Sequence, residues 1–491
     1  MIKQLLVLPG ADAGKLACPN ETPSLPSISR QPDVQMMEAD GPYKVSYQIP
    51  YDAECEWQET GKMWYDIYTQ QLKVCHSGTW KAAKTSQAAP SNLIQPVPQL
   101  DYFVEHQQVV GPAPSIDIHV FTIPGEGLFV VMANYNNHQR KQKSMMFKWE
   151  NESLLPYQNI STYSPSSWTS FQIGRHFYLA VTNMQKSSTQ AVTESVVVYK
   201  WHTKKKKFKF HQDLPSSVPR DVEYFEINGN HYLAVANHRA SQSANNTSYN
   251  YSTRSFIWKF EKDEKLFREF QKIPTVGAWD WTYFSTLSQS GDLFHFLVVA
   301  NTINSKQEVQ LESKIYYWNQ LMAGGLGNFE EYNQNIPTSG ATDFEHFEID
   351  GESYLAVANS IKSVQLDNQN GRHSTVSVIY KANKFTQRFD VFQEISTYGI
   401  IDWEYFTIGN DSYLIASNQR PGHMSDETTN QLATKETTIY RWKGTEKFVP
   451  SNKIEAAPAA DWEVIQDGRQ TYLIYANGAG ATTQIYRAKL R

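Results

Sequence analysis

Charge is scarce in this 491-residue chain: Asp, Glu, Lys and Arg make up 19%, and the formal net charge is -5. Such a chain has no whole-molecule field to draw it to nucleic acid. Cysteine is nearly absent. With three Cys, no CxxC pair and 13 His without ligand spacing, neither a disulfide-dense scaffold nor a zinc site is expected. No apolar run reaches the ~18 residues that would read as a membrane span. Catalytic signatures are missing too: there is no G-x-S-x-G, H-E-x-x-H, P-loop or EF-hand loop. What the chain has is aromatic residues, at 13%, within a hydrophobic content of 40%. That is enough to fill a large core and excludes global disorder.

The N-terminus, "MIKQLLVLPGADAGK", carries an apolar run shorter than the roughly 7–15 residues of a secretory signal. It does not read as an intact leader. N-x-[ST] sites at Asn20, Asn151, Asn159, Asn245, Asn246, Asn250 and Asn410 nevertheless point to a secreted, extracellular glycoprotein whose leader is missing or unusual. Chance is the alternative, in a chain rich in Asn, Ser and Thr. Cys55 and Cys75 bracket "CEWQETGKMWYDIYTQQLKVC", which reads as a hairpin closed by a disulfide. Such a loop is worth about 3 kcal/mol by the chain-entropy model, a staple that a small module with little core needs. Cys18 is left over.

Repeats decide the architecture. "DVEYFEINGNHYLAVAN" from Asp221 recurs as "DFEHFEIDGESYLAVAN" from Asp343, "DWEYFTIGNDSYLIASN" from Asp402 and "DWEVIQDGRQTYLIYAN" from Asp461. The Asn closing each apolar strand falls at 134, 183, 237, 301, 359, 418 and 477, in steps of 49, 54, 64, 58, 59 and 59 residues. Each of the seven copies holds an alternating strand, a Gly turn, a short apolar strand, a polar loop and two further strands: a four-stranded meander. The last copy stops after its third strand, "TQIYRAKLR". Residues 101–110, "DYFVEHQQVV", match the fourth-strand pattern, with "HQQV" against "HQDL" at His211, "FQKI" at Phe270 and "FQEI" at Phe392. The N-terminal strand thus supplies what the last unit lacks. Closure removes exposed edges. The expectation is an all-β, seven-bladed β-propeller of four-stranded blades with N-terminal strand closure, preceded by a small disulfide-closed β module.

The pattern D-x-E-x-F-x-I-x-G, then Y-L-A-V-A-N, then strands such as "SVVVYKW" and "SKIYYW", resembles the EAR (epilepsy-associated, or EPTP) repeat. That repeat occurs in leucine-rich glioma-inactivated proteins and beside a thrombospondin-type laminin G domain. The resemblance covers about 102–487. It departs where His119 replaces the Glu in copy one, and where Ser167 and Thr169 replace Asp and Glu in copy two. Residues 1–99 match none of the leucine-rich, laminin G or receptor modules of the family. The division expected is a poorly ordered segment at 1–44, the disulfide-closed module at 45–82, a linker at 83–100 and the propeller at 101–491.

Asp-x-Glu pairs could serve as glycosidase carboxylates, but they recur copy after copy, where a catalytic pair is needed once. No catalytic residue is expected. Asp117, Asp221, Asp280, Asp343, Asp402 and Asp461 share one position on the first, innermost strand and should ring one mouth of the channel. Two readings stand. Each carboxylate accepts backbone N–H bonds in its own turn, or neighbouring carboxylates hold a structural cation, which calcium would suit. The resemblance implies channel calcium held through this Asp in neighbouring blades. Carried over, its ligands would come from Asp221, Asp280, Asp343, Asp402 and Asp461, and Ser167 breaks the ring.

The Gln at 107, 158, 212, 271, 334 and 393 reads as a structural amide joining strands or blades, and copy six departs with "SNKI". The aromatic after each Asp reads as inter-blade core. "KKKK" at 204–207 reads as a solvated hairpin tip, with heparin-like glycan binding the minor reading. The long second-to-third loops share a rim with the Asp ring, and loops carry specificity on a shared scaffold. If glycosylated, the sector holding Asn245, Asn246 and Asn250 should not be the contact. The functional expectation is a secreted binding module recognising an extracellular or cell-surface protein through that face, in keeping with what the resemblance implies. The alternative is a structural matrix component, glycan- or mineral-associated; a propeller glycosidase is less favoured.

Overall fold

The second strands explain the architecture. "HYLAVAN", "SYLAVAN" and "SYLIAS" are apolar on both faces, and in each blade they are buried throughout. A strand with no solvated face must be covered on both sides by neighbouring sheets. In the computed structural model, seven four-stranded antiparallel sheets supply that cover. They span 115–163, 165–215, 219–276, 278–339, 341–398 and 400–455, and the seventh spans 459–490 completed by Leu100–Val110. The structure describes residues 97–491 apart from 136–140, 185–193, 241–248, 289–290, 365–371, 419–435 and 457, together with 63–66, 71–76 and 79–82.

The ring is closed by the N-terminal strand. Leu100–Val110 runs antiparallel to Thr482–Leu490, with Gln107 opposite Ile485 and Tyr102 opposite Lys489. Each first strand lies against the first strands of both neighbouring blades, all the way round. The core divides likewise, into one apolar cluster for each of the seven seams. The residues following the Asp position, Ile118, Trp168, Val222, Trp281, Phe344, Trp403 and Trp462, are all buried, which makes them the inter-blade core that their spacing predicts.

Turn chemistry follows the sequence. At Asp350-Gly351 and Asn228-Gly229 both central residues have positive φ, the left-handed pair required by a tight two-residue hairpin. Lys204–Lys207 forms an exposed turn between the third and fourth strands of blade 2, where Lys206 Nζ pairs with Glu126 at 2.9 Å.

The chain separates into two compact units, Met1–Glu54 and Cys55–Arg491. The first lies outside the described residues. In the second, before the propeller, Met63–Asp66, Gln71–His76 and Thr79–Ala82 form a three-stranded antiparallel sheet. Cys55 and Cys18 lie outside the described residues, and so does 83–96 of the expected linker.

Candidate functional site

Two layers of polar side chains join the blades, and the repeated motif builds both. The outer layer is the fourth-strand Gln. Gln271 Nε2 donates to Phe329 O at 2.7 Å and its Oε1 accepts Phe329 N–H at 3.0 Å. Gln212 does the same with Phe267, Gln334 with Phe389 and Gln393 with Phe448. Gln158 pairs with Phe208, and Gln107, on the N-terminal strand, with Leu154 of blade 1. Each partner is the first or second residue of the next blade's outermost strand. In blade 6 the shorter Asn452 makes one such bond, to Asp101 O at 2.9 Å.

The inner layer is the D-x-E pair, and here the structure differs from the expectation of bonds within each turn. The Asp carboxylate reaches forward to the next blade's first strand. Asp461 Oδ2 accepts Ile118 N–H at 2.8 Å, Asp117 that of Trp168 at 3.0 Å, Asp221 that of Trp281 at 3.2 Å, and Asp343 that of Trp403 at 3.0 Å. The Glu two residues on takes a second rung. Glu223 accepts Tyr283 N–H, Glu345 that of Tyr405 and Glu463 that of Val120. First strands in a propeller meet edge-on without forming a sheet, so their backbone donors need side-chain acceptors. The motif's departures now make chemical sense. His119, in place of Glu, accepts Ser170 N–H through Nε2 at 3.1 Å, and its Nδ1 lies 3.3 Å from Glu463. Thr282, in place of Glu, holds its one hydroxyl within hydrogen-bonding reach of both Asp280 Oδ2 and Phe344 O. Ser167, in place of Asp, donates to Asp221 Oδ1 at 2.9 Å.

The closing Asn of the second strand, which sequence reading uses only as a marker, is a third tie in blades 2 to 5. Asn359 Oδ1 accepts Ser339 N–H at 2.9 Å, from the last residue of the preceding blade, and Asn183 does the same for Tyr163 at 2.7 Å. A repeated Asn at a strand end was the available signal.

The ring of carboxylates converges on the channel as the spacing predicts. Burial raises their proton affinities: Asp221 to about 6, Asp402 to about 7, and Glu223 and Glu345 to about 8. Asp117, Asp280, Asp343, Asp461 and Glu404 are pushed well above the carboxylate range by burial and then by neighbouring carboxylates. Asp402 and Asp461 come within hydrogen-bonding reach of each other. Their all-oxygen chemistry fits a hard cation. Yet among the described residues no three His, Cys, Asp or Glu side chains close on one point. An ion would rest on a neighbouring Asp pair such as Asp402 and Asp461, with backbone carbonyls and water completing its shell.

Of the sequons, Asn151, Asn159, Asn250 and Asn410 are exposed; Asn20, Asn245 and Asn246 lie outside the described residues. No helix among the described residues is long and apolar enough to cross a membrane.

The EPTP domain profile matches residues 153–202, 207–248, 266–319, 329–381 and 388–443. The chain belongs to the EPTP repeat family. Each match begins near the fourth strand of one blade and runs into the next blade, so the EPTP sequence unit straddles the seam that the Gln and Asp-Glu ties hold. The thrombospondin-type laminin G domain and EAR repeat-containing protein of Mus musculus is 32% identical over 100% of this chain and 68% of its own length. Its Homo sapiens counterpart is 33% identical over the same shares. Both alignments run through residues 1–99, where the repeat motif is absent. Among solved structures, a putative 6-phosphogluconolactonase from Bacteroides uniformis superposes with a TM-score of 0.49. It is 12% identical over 74% of this chain and 93% of its own, and nothing about activity is drawn from it.

Proposed function

We propose that this EPTP propeller is a secreted, extracellular binding module that recognises a protein partner through the face carrying its second-to-third loops. One observation carries the reading. The repeated polar residues are committed to joining blades, with Asp, Glu, Gln and Asn each bonded to a neighbouring strand. That leaves the loops, different in every blade, as the variable chemistry. The commitment of the Asp-x-Glu carboxylates to backbone N–H groups also favours binding over glycosidase chemistry. Two names among its relatives describe repeat-containing proteins and no reaction. The test replaces residues 419–437 by a short turn and measures capture of a partner from cell-surface extract. Capture should fall while the melting midpoint holds. Equal loss on altering the opposite-rim turn at Gly351 refutes the assignment. Partner-independent incorporation into matrix would favour a structural component instead.

A structural calcium ion in the channel is the second part of the proposal, supported by the buried, mutually repelling carboxylates. A cation would relieve that repulsion and stiffen the ring. Melting with calcium and with chelator is the measurement: bound ion raises the midpoint by mass action. Identical curves with no metal by elemental analysis leave the carboxylates as hydrogen-bond acceptors alone.

A further inference from the structure

Every first strand opens with a break in register, which in blades 3 to 7 skips the single residue before its Asp and in blades 1 and 2 takes in the Asp position as well. In blade 3 the register passes from Pro219 opposite Asn237 to Asp221 opposite Ala236, leaving Arg220 unpaired; in blade 4 it likewise skips Trp279. Bulges re-aim a side chain. The other five equivalents are Ile116, Ser166, Thr342, Ile401 and Ala460, so Arg220 is the one charged side chain at this position around the mouth.

Its guanidinium lies over the Trp279 ring at 4.1 Å. Beside it, Arg239 lies over the Tyr249 ring at 4.0 Å. His238, between them in chemistry and buried, meets Trp279 edge-on at 5.3 Å and Tyr251 at 5.2 Å. Burial and the two arginines push His238 down to about 3, so it adds no charge. Among the described residues neither cation pairs with a carboxylate. Arg220 Nε and Arg239 Nη1 are buried with no acceptor. The groups acting on Arg220 are Arg239 and tyrosines, with no carboxylate. The nearby Glu194 accepts Val218 N–H at 3.1 Å.

The backbone is strained at the same point. The residue that enters the first strand has positive φ in blades 2 to 6. It is glycine at 277, 340 and 399, Ser164 at blade 2 and Val218, with φ 46°, at the entry to blade 3. A β-branched residue there is a conformational outlier, and such strain concentrates at ligand clamps.

We infer that Arg220 and Arg239 form a carboxylate-binding site at the channel mouth, which takes an acidic side chain from an extended segment of a protein partner. A guanidinium stacked on an aromatic ring keeps its in-plane N–H edge for a carboxylate, bidentately. The tyrosine and tryptophan walls suit the residues flanking that acid. A sulfated glycan would need a longer stripe of cations, and the lysine-rich turn at 204–207 is on the opposite rim. The site rests on the partner-binding reading above and names the partner's chemistry. It lies in the sector that glycans at Asn245, Asn246 and Asn250 were expected to shield. Its Arg220, His238 and Trp279 come from strand ends at the mouth and not from that loop.

The test immobilises the full chain and measures binding of a polyglutamate peptide, a polyglutamine peptide of equal length and a heparin oligosaccharide at fixed ionic strength. Polyglutamate should bind and polyglutamine should not. R220Q and R239Q should each weaken binding about tenfold, the loss expected of a charge-assisted hydrogen bond. R220K, which keeps the charge and loses the planar fork, should fall between. Melting midpoints report folding, and R220K keeps the test decisive if R220Q unfolds. Equal binding of the two peptides, or wild-type binding by the R220Q/R239Q double variant, overturns the site. Heparin binding that depends on these arginines, with none of polyglutamate, overturns the peptide assignment. If replacing 419–437 abolishes partner capture while the arginine variants leave it intact, the site fails and the partner-binding reading stands. The reverse pattern saves the site and rejects that loop assignment.

Discussion

The Gln ties make a prediction with two signs. In Gln271→Ala, Phe329 loses the partners of both its N–H and its C=O, bonds of 3.0 and 2.7 Å. Phe329 is buried at 2% exposure, so its backbone is poorly placed to recruit water. A net hydrogen bond is worth about 1 kcal/mol, and a buried group left unsatisfied costs about 1–3 kcal/mol. Two such groups at a seam whose Gln is only half-buried come to about 2–4 kcal/mol. Asn452→Gln should move the other way. Asn452 makes one bond, to Asp101 O, and one more methylene lets a side chain there make the second, as at the other six positions, for a gain of about 1 kcal/mol. Urea unfolding with an unchanged m-value measures both. A Gln271→Ala variant indistinguishable from wild type, or an Asn452→Gln variant that is destabilised, would show that these amides do not hold the seams.

Deleting residues 100–110 should leave the third strand of blade 7, Thr482–Leu490, as an unpaired edge and remove the Gln107 tie to blade 1. Aggregation or loss of cooperative melting is expected, and melting like the full chain refutes closure. The carboxylate ring sets a pH dependence. Its folded-state affinities lie above the ordinary values, at about 6 for Asp221 and about 7 for Asp402. The folded chain therefore holds protons that the unfolded chain releases, and stability falls as pH rises from ~4 towards 8. For a carboxylate held at about 6 in place of 3.8, the cost when ionised is about 3 kcal/mol. In chelator the melting midpoint should be higher at pH 5.5 than at pH 8, and the opposite order refutes the assignment.

The propeller was legible because its constraints are local and repeated. Aligning the Asn at 134 through 477 is enough to count blades, and "HQQV" at His106 is enough to close the ring. Position on the innermost strand follows from order within the meander, so the convergence of the Asp ring was legible too. What each Asp bonds to was not. Asp221 and Trp281 are 60 residues apart, and nothing in a single repeat says that its acceptor serves the next one. The Arg220–Trp279 contact was hidden for the same reason. Each residue looks unremarkable within its own copy, and the pair exists because equivalent bulges in adjacent blades meet at the mouth.

That geometry bears on how the channel and the loop face divide their work. Each Asp carboxylate bonded to the next blade gives one oxygen to a backbone N–H. Beyond those bonds the buried carboxylates repel one another, as Asp402 and Asp280 do Asp343, and a proton or a cation relieves that repulsion. Either ligand acts at the seam where it sits, and every first strand touches two others. Arg220 sits one residue from Asp221 in sequence, yet Asp221 is held by Ser167, Trp281 and Val222 while Arg220 feels Tyr135, Arg239 and Tyr251. The bulge turns the two side chains to different neighbours. Once its carboxylates ionise, the ring holds negative charge inside the mouth, with a positive charge on its rim that no described carboxylate neutralises. A partner carboxylate at Arg220 would be attracted by the rim and repelled by the channel, which confines it to the surface.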